Sequence, residues 1–424
     1  MPEPIRTPSG ADGREVGPVA SGRLPLWLRG LLPLVLLVAL FALFLFTGPL
    51  GVLRAAFPPV EELTIERIEF PQSGRIRVHV VNGGPEPVTV SQVMVDEAYW
   101  NFTIAGESTL DRLDDVTIDV LYPWVHGEPI AIGLVSSSGL TFTHEVSVAT
   151  ESPRADVRYL STFALLGIYV GVIPVFLGLL WLPFLRGIAH HWTDFFLSLT
   201  MGLLVFLGVD ALAEAVQMSG AVASAFQGIG LVTLGVIGAP LLIEGVGRLG
   251  RRAPTASEEI SSAVTRRAEA LRIATLIAVG IGLHNLGEGL AIGSAYAAGE
   301  LALGSALVVG FLLHNTTEGI GIVAPLARQP ARIALLVGLG ALAGVPTILG
   351  AWMGGLSYSP VTTVLFLAIG AGAVLQVVFA IGRLLSRRVG PQGERGAWLV
   401  RPLNAAGLIA GLTIMYVTGL WVAV

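Results

Sequence analysis

Apolar and polar residues alternate along one part of this chain, between about Ala55 and Arg158. Short alternating runs occur at Leu63–Phe70, Arg75–Val81, Val88–Val95, Trp100–Ile104, Val116–Val120, Ile130–Val135 and Leu140–Val148. Turn-forming stretches such as Asn82-Gly83-Gly84-Pro85 separate these runs. A period of two predicts strands, and this number and spacing of strands predicts a small antiparallel β-sandwich of immunoglobulin-like type.

Apolar residues dominate the chain after Arg158. The long runs predict eight membrane-spanning helices, near 159–185, 194–217, 222–246, 272–294, 303–327, 333–356, 361–385 and 401–423. The mixed-charge segment 250–270 predicts a flexible linker. Another apolar run begins at residue 31 and exceeds the roughly 7–15 residues of a signal-peptide core, so we interpret it as a retained membrane anchor.

The predicted fold class is therefore an all-α polytopic membrane bundle of eight core helices plus an N-terminal anchor helix, with an inserted extracytoplasmic β-sandwich. The predicted domains are a cytoplasmic tail (1–30), the anchor (31–54), the sandwich (55–158) and the helical bundle (159–424).

Composition agrees with a membrane protein and narrows the chemistry. The chain is 53% hydrophobic and 13% charged, with a mean hydropathy of +0.75, whereas about 25% of the residues of a soluble domain are charged. The net charge of −5 gives no indication of nucleic-acid binding. Cysteine is absent, which excludes disulfides and thiolate ligands. A metal site would have to use imidazole, carboxylate, carboxamide or backbone oxygen.

The arginines predict the orientation in the membrane. With the N-terminus in the cytoplasm, the loops on the cytoplasmic side carry many arginines, among them Arg251, Arg252, Arg387 and Arg388. The loops near Ser219, Ala298 and Tyr358 carry none. This distribution follows the positive-inside rule. We expect a multi-pass protein of the plasma membrane, with the sandwich and the C-terminus outside.

Ionisable residues lie within the predicted spans, where each costs roughly 2.5–3.5 kcal/mol on insertion scales. They are Asp210, Glu214, Glu244, His284, Glu288, His314 and Glu318. A buried salt bridge would be the ordinary explanation, but no arginine or lysine lies deep in any predicted helix. Carboxylates and imidazoles without a protein cation indicate a cation that binds and leaves.

The spacing of these residues sharpens that interpretation. His284 and Glu288 are four apart, so they lie on one face of a helix and can bind one ion. His314 and Glu318 repeat the spacing on the next helix, and an asparagine follows each histidine (Asn285 and Asn315). Both histidines are predicted near the middle of the membrane. Imidazole and carboxylate ligands suit Zn²⁺, while Fe²⁺, Mn²⁺, Co²⁺ and Cd²⁺ remain open.

The doubled motif resembles a known family. The stretch His284–Leu326, with His-Asn-Leu-Gly-Glu-Gly and His-Asn-Thr-Thr-Glu-Gly joined through Ala297-Ala298-Gly299-Glu300, is similar to the fourth and fifth helices of the ZIP (Zrt/Irt-like) metal transporters. The resemblance implies that His284, Glu288 and Glu318 belong to one metal site. It implies that Asn285, His314 and Asn315 contribute to that site or to a neighbouring one. It also places Asp210 and Glu214 beside the ion path, where the second family helix often carries H-x-x-P-E.

The sequence departs from the family pattern at several positions. Gly287 and Thr317 replace the prolines of the two motifs, and Val345 stands where a glutamate often precedes a proline. The acidic residues usual near the end of the seventh helix are absent from 376–385. The sequence therefore leaves open whether the site binds one ion or two. Gly289 and Gly319, which follow the motif glutamates, could serve either helix packing or the ion path.

The predicted function is transmembrane transport of divalent metal ions, Zn²⁺ before the others, toward the cytoplasm by rocking of one helix group against another. We expect no enzyme activity and no prosthetic group, with the metal as cargo. Transport should fall as the pH drops through roughly 6, because the imidazoles must be neutral to bind. Partners are the metal ion and the lipid membrane; a homodimer is compatible with the sequence, which does not indicate what the sandwich binds. Two alternatives are a membrane metal sensor that uses the sandwich as reporter, and an intramembrane metalloenzyme, which the absence of H-E-x-x-H disfavours.

Overall fold

A computed structural model describes residues 26–47, 60–152, 154, 156–249, 262–297, 301–356, 359–388 and 398–422. The chain forms two compact units, Met1–Pro59 and Val60–Val424. In the first unit, helix α1 covers Leu26–Thr47, so it begins five residues before the predicted anchor. The predicted tail up to residue 25 and the end of the anchor after Thr47 lie outside the described residues.

The β-sandwich consists of short antiparallel strands. They are β1 (Leu63–Gln72), β2 (Arg75–Asn82), β3 (Val88–Val95), β4 (Ala98–Trp100), β5 (Phe102–Ala105), β6 (Thr109–Leu110), β7 (Asp115–Leu121), β8 (Ile130–Ser136) and β9 (Thr141–Val146). One sheet has the order β1-β2-β7-β5 and the other β4-β3-β8-β9, with β6 paired to β3. In chain-order letters these are A-B-E-D and C′-C-F-G, which are the strand orders of immunoglobulin-like sandwiches.

Alternation along the strands builds the core of the sandwich. Val78 and Val80 of β2 and Ile132 and Leu134 of β8 are fully buried in one core cluster, and His79 between the two valines is only half-buried. The predicted strand 100–104 is interrupted at Asn101, and its two halves belong to different sheets. The chain crosses there from one sheet to the other, which a continuous alternation does not reveal.

The helices of the second unit follow the apolar runs. They are α2 (Val157–Gly167), α3 (Ile173–Leu179), α4 (Leu182–Gly187), α5 (His190–Met218), α6 (Gly228–Leu249), α7 (Ser262–Ala297), α8 (Leu301–Val323), α9 (Ile333–Gly344), α10 (Pro346–Leu356), α11 (Pro360–Arg388) and α12 (Pro402–Val422). A π-helical turn, Ile168–Val172, joins α2 to α3. Within the described residues, seven segments are long and apolar enough to cross a membrane, which indicates a membrane protein.

The span predicted near 222–246 agrees with an apolar segment from Ser224 to Gly245. Its regular α-helix starts at Gly228, because residues 219–221 and 224–226 form 3-10 turns and Gln227 adopts a left-handed backbone with φ of 49°. One predicted boundary was wrong. The predicted linker 250–270 is helical from Ser262 onward, since its polar residues extend α7 by about ten residues. Residues 250–261 lie outside the described part of the chain.

Glycines bring some of the helices into backbone contact. A Cβ at Gly289 of α7 would overlap the carbonyl oxygen of Thr347 of α10, and one at Gly350 would overlap the carbonyl oxygen of Leu286. A Cβ at Gly319 of α8 would likewise overlap the Val175 carbonyl oxygen of α3. Through such contacts α2, α3, α7, α8, α9 and α10 form one closely packed set, which we call the site group.

The remaining long helices make their own close contacts. A Cβ at Gly202 of α5 would overlap the Leu408 carbonyl oxygen of α12, and one at Gly372 of α11 would lie 2.6 Å from the Val236 carbonyl oxygen of α6. We call α5, α6, α11 and α12 the flanking group. Between the groups the glycine contacts are looser or involve side chains: a Cβ at Gly370 of α11 would lie 3.2 Å from the Cα of His284.

The end of the bundle opposite the sandwich is rich in arginine. There the guanidinium of Arg186 donates a hydrogen bond to the Gln329 carbonyl oxygen at 3.1 Å, and Arg328 donates to the carbonyl oxygen of Ile188. The sandwich lies at the other end, against the connection between α5 and α6. That the arginine-rich end faces the cytoplasm stays a prediction from this asymmetry.

Candidate metal site

Three of the predicted ligands meet between α7 and α8. His284 Nε2 lies 3.0 Å and His314 Nε2 lies 2.6 Å from the same oxygen of Glu288, Oε1. All three side chains are buried, with exposures of 5%, 7% and 3% for His284, His314 and Glu288. The two helices run in opposite directions, so the motifs face each other, and one ligand atom from each residue lies within 4.8 Å of the others.

The two asparagines attach the site to the backbone of the site group. The Asn285 side-chain amide donates a hydrogen bond to the Ala343 carbonyl oxygen at 3.0 Å, just before the break between α9 and α10. The Asn315 amide donates to Val170 of the π-helical turn at 3.1 Å and to Glu288 Oε2 at 3.1 Å. Both amide nitrogens are thereby fixed. Each asparagine then presents its Oδ1 atom as a buried acceptor without a hydrogen-bond partner among the described residues.

Glu318 completes the buried cluster. Its side chain is 3% exposed, and neither carboxylate oxygen has a hydrogen-bond partner in the described part of the chain. The Asn285 carboxamide lies beside it without reaching hydrogen-bond geometry, and Glu288, His284 and His314 are close enough to interact with it electrostatically. Together with the two asparagines, Glu318 gives the cluster four acceptor atoms for which the described residues supply no hydrogen-bond donor.

The two residues predicted on α5 differ in position. Glu214 is half-buried and interacts electrostatically with His284 and Glu288, so it faces the cluster from the flanking group. Asp210 is exposed on the bundle surface and lies near Glu214. Glu244, the other carboxylate flagged by the sequence, accepts a hydrogen bond at 3.2 Å from Gln376.

Some residues that shape the site had no signal in the sequence. Gly370 of α11 leaves room beside His284, because a Cβ there would lie 3.6 Å from the His284 Nδ1 atom. The carbonyl groups of Val170 and Ala343 are recognised by the motif asparagines, and both lie where a helix is irregular. A proline marks each irregularity in the sequence. Pro174, four residues after Val170, cannot donate the backbone hydrogen bond that the Val170 carbonyl would accept in an α-helix, and Pro346 begins α10.

The structure also favours one role for the motif glycines. Gly289 and Gly319 both lie against a neighbouring backbone, at Thr347 and Val175 respectively. Helix packing, and not room for the ion, is what these glycines provide here.

The donor atoms suit a divalent ion with nitrogen and oxygen ligands. In a tetrahedral zinc site with bonds of about 2.0–2.1 Å, neighbouring ligand atoms lie roughly 3.3 Å apart. The two histidine Nε2 atoms lie 3.0 and 2.6 Å from Glu288 Oε1, which are hydrogen-bond distances. In this arrangement a proton lies between imidazole and carboxylate where an ion would otherwise lie. Small side-chain movements would convert one arrangement to the other, and His284, Glu288 and His314 would be the ligands.

Comparisons with known proteins assign no family. No protein-family model and no curated protein matches this chain. Among solved structures, the archaellum periplasmic stator protein FlaG from Sulfolobus acidocaldarius aligns at 14% identity over 20% of this chain and 99% of that chain, with a TM-score of 0.18. The complex of the stator proteins FlaF and FlaG from the same organism aligns at 15% identity over 21% of this chain and 92% of that chain, with a TM-score of 0.18.

Proposed function

We propose that this protein is a membrane transporter of divalent metal ions, of the ZIP kind that its doubled motif resembles. One observation carries the proposal: the buried cluster contains acceptor atoms that have no hydrogen-bond partner among the described residues. These are Oδ1 of Asn285, Oδ1 of Asn315 and both oxygens of Glu318. An unsatisfied buried polar atom costs about 1–3 kcal/mol, so a cluster of four calls for a positive partner.

The charges of the cluster favour a metal ion as that partner. Glu288 and Glu318 are both buried, and the sequence from residue 273 to residue 327 contains no arginine or lysine. Protons can satisfy such carboxylates when the site is empty. Two histidines lie beside these carboxylates. Imidazole nitrogen is a ligand that suits Zn²⁺, whereas Mg²⁺ and Ca²⁺ bind through oxygen.

The position of the cluster supports movement of that ion. The ligands belong to the site group, while Glu214 and Gly370 approach them from the flanking group. A site at the boundary between two closely packed helix sets can open to one side or the other when the sets rock against each other. The backbone contacts within each set would keep the ligands together during that motion. From the arginine distribution we propose that the arginine-rich end of the bundle faces the cytoplasm. We also propose a location in the plasma membrane and flux toward that end.

Zinc uptake into proteoliposomes that contain the purified protein tests this proposal. Glu288→Gln and Glu318→Gln keep the shape of the side chains and remove a charged ligand, so both should abolish uptake. Thr317→Val is the matched control on the same helical turn, because the Thr317 hydroxyl donates its hydrogen bond to the His314 carbonyl oxygen of its own helix at 2.6 Å. Its uptake should equal that of the unmodified protein.

Binding measurements on the same preparations separate the alternatives. Zinc binding without uptake by the unmodified protein would favour the sensor and exclude transport. Equal uptake by Glu288→Gln and the unmodified protein would exclude the proposed site.

A further inference from the structure

The β-sandwich is joined to the flanking group at Ser224, which bonds to the carboxylate of Glu62, just before β1, and to the Gly83 carbonyl oxygen at 3.1 Å. The Ser224 amide donates a hydrogen bond to Glu62 Oε1 at 2.8 Å, and the Ser224 hydroxyl donates to the other oxygen of this carboxylate. Next to this pair, Gly83 lies against Ala223, and a Cβ at Gly83 would be 2.9 Å from the Ala223 Cβ. Because Ser224 lies between α5 and α6, this contact belongs to the flanking group.

The sandwich is joined to the site group by the chain itself. The segment after β9 leads directly into α2, where Asp156 caps the helix by accepting a hydrogen bond from the Tyr159 amide at 2.7 Å. On the way, Ser152 exchanges two hydrogen bonds with Phe70 of β1, at 2.8 and 3.0 Å. Arg67 of β1 also donates to the carbonyl oxygen of Leu356, the last residue of α10, at 3.3 Å.

A cavity of about 370 Å³ separates the sandwich from the helix ends between these attachments. Glu66 and Glu145 line it from the sandwich, and Gly220 and Val222 line it from the connection between α5 and α6. The contact with the flanking group is therefore not a continuous packed interface. It depends on a few polar atoms around Glu62, which can separate without exposing a large apolar surface.

We propose that the hydrogen bonds between Glu62 and Ser224 form a latch that fastens the sandwich to the flanking group and opens when the two helix groups move against each other. The sandwich moves with the site group, to which α2 connects it, so such a movement pulls Glu62 away from Ser224. The closed latch stabilises the conformation described here, and weakening it shifts the population toward others. This inference rests on the proposed function in one respect, since transport requires the movement.

A distance measurement tests the latch without relying on transport. The chain contains no cysteine, so spin labels can be attached at Leu121→Cys in the sandwich and Ile229→Cys on α6, whose side chains are 72% and 59% exposed. Double electron–electron resonance between the two labels should give one narrow distance distribution in the doubly labelled protein. Adding Glu62→Ala should broaden this distribution or add a second distance. Glu61→Ala is the matched control, because Glu61 bonds to Ser138 within the sandwich at 2.8 Å. Equal distributions in the two variants would overturn the latch.

A reversible cross-link tests its consequence for transport. Gly83→Cys combined with Ala223→Cys would bring two Cβ atoms to 2.9 Å, closer than the roughly 3.5–4.5 Å of a disulfide, so the bond forms after a small local shift. A Cβ at Gly83 would also lie 2.6 Å from Glu62 Oε1, so the reduced variants with Gly83→Cys measure uptake with this carboxylate displaced. Oxidation should abolish zinc uptake while zinc binding persists, and reduction should restore uptake; each single cysteine variant controls for the oxidant. Undiminished uptake with the cross-link complete would refute the latch. If even the reduced protein neither binds nor transports zinc, the proposed function fails, and the distance measurement still decides the latch.

Discussion

A single methyl group at Gly319 should loosen the helix that carries Glu318. In the described structure, a Cβ at this position would overlap the carbonyl oxygen of Val175 and lie 2.8 Å from the Cα of Gly178. Both neighbours are backbone atoms of α3, so no side chain can turn away to make room. Gly319→Ala therefore has to move α8 away from α3.

The size of the effect follows from that overlap. Forcing an extra methyl group into a packed interior costs about 1–3 kcal/mol, and rigid backbone on the other side places this substitution toward the upper end. Gly338→Ala on α9 is the matched control, because nothing lies within 4 Å of a Cβ there. In a helix interior with free space, alanine is more favourable than glycine by roughly 0.5–1 kcal/mol. The two substitutions should change stability in opposite directions.

Thermal unfolding of the purified protein in detergent, followed by tryptophan fluorescence, measures this difference. The midpoint should fall for Gly319→Ala and stay equal or rise for Gly338→Ala. Zinc affinity should fall only for Gly319→Ala, because the displaced helix carries Glu318. A Gly319→Ala variant as stable as Gly338→Ala would refute the close packing of α3 and α8, and with it the assignment of α8 to the site group.

Three further outcomes are expected. Excess Zn²⁺ at about 100 times its dissociation constant should stabilise the protein by roughly 2.7 kcal/mol, and should leave the thermal midpoint of His314→Ala unchanged. Glu214→Gln should slow zinc uptake more than Asp210→Asn, and equal effects would contradict the described position of Glu214. Burial raises the pKa of Asp119 in the sandwich, but hydrogen bonds from Arg75 and Arg77 outweigh it and hold the pKa below the usual range. Asp119→Asn should therefore weaken hydrogen-exchange protection of β2 and β7 at neutral pH, by at most about 1 kcal/mol for a surface pair, and the difference should vanish as the pH falls through the lowered pKa in the folded protein.

Sequence periodicity predicted the strands and helices well, because the burial pattern of each element depends on residues only a few positions apart. The run Val88–Val95 became strand β3 with the predicted bounds, since alternation along one strand reports which face is buried. The regular helix differs from the apolar run where polar residues continue it, as at Ser262, or where turns precede it, as at Gly228. Neither change alters hydrophobicity in a way that marks the end of a helix.

In the candidate site, too, contacts within one helix were predictable and contacts between helices were not. The spacing of His284 and Glu288 predicted neighbours on one helix face, and their side chains lie 3.0 Å apart. The 2.6 Å contact between His314 and Glu288 joins two helices, so it depends on how α7 and α8 are set against each other. Sequence spacing does not contain that quantity. The metal itself, the direction of transport and the family stay predictions.

The geometry of the doubled motif suggests why its residues occur together. In the pattern His-Asn-x-x-Glu-Gly, histidine and glutamate share one helix face, and asparagine and glycine share a face about 100° further around. In α7 the second face bonds to Ala343 through Asn285 and packs on Thr347 through Gly289.

The second copy of the motif repeats this arrangement on α8. Asn315 bonds to Val170 and Gly319 packs on Val175, both in the segment formed by the π-helical turn and α3. In each copy, two residues present ligands and two fix the helix within the site group. Because all four neighbours belong to that group, the ligands of both helices would move as one body. A transporter that rocks around a bound ion requires that behaviour, whereas a sensor that only binds does not.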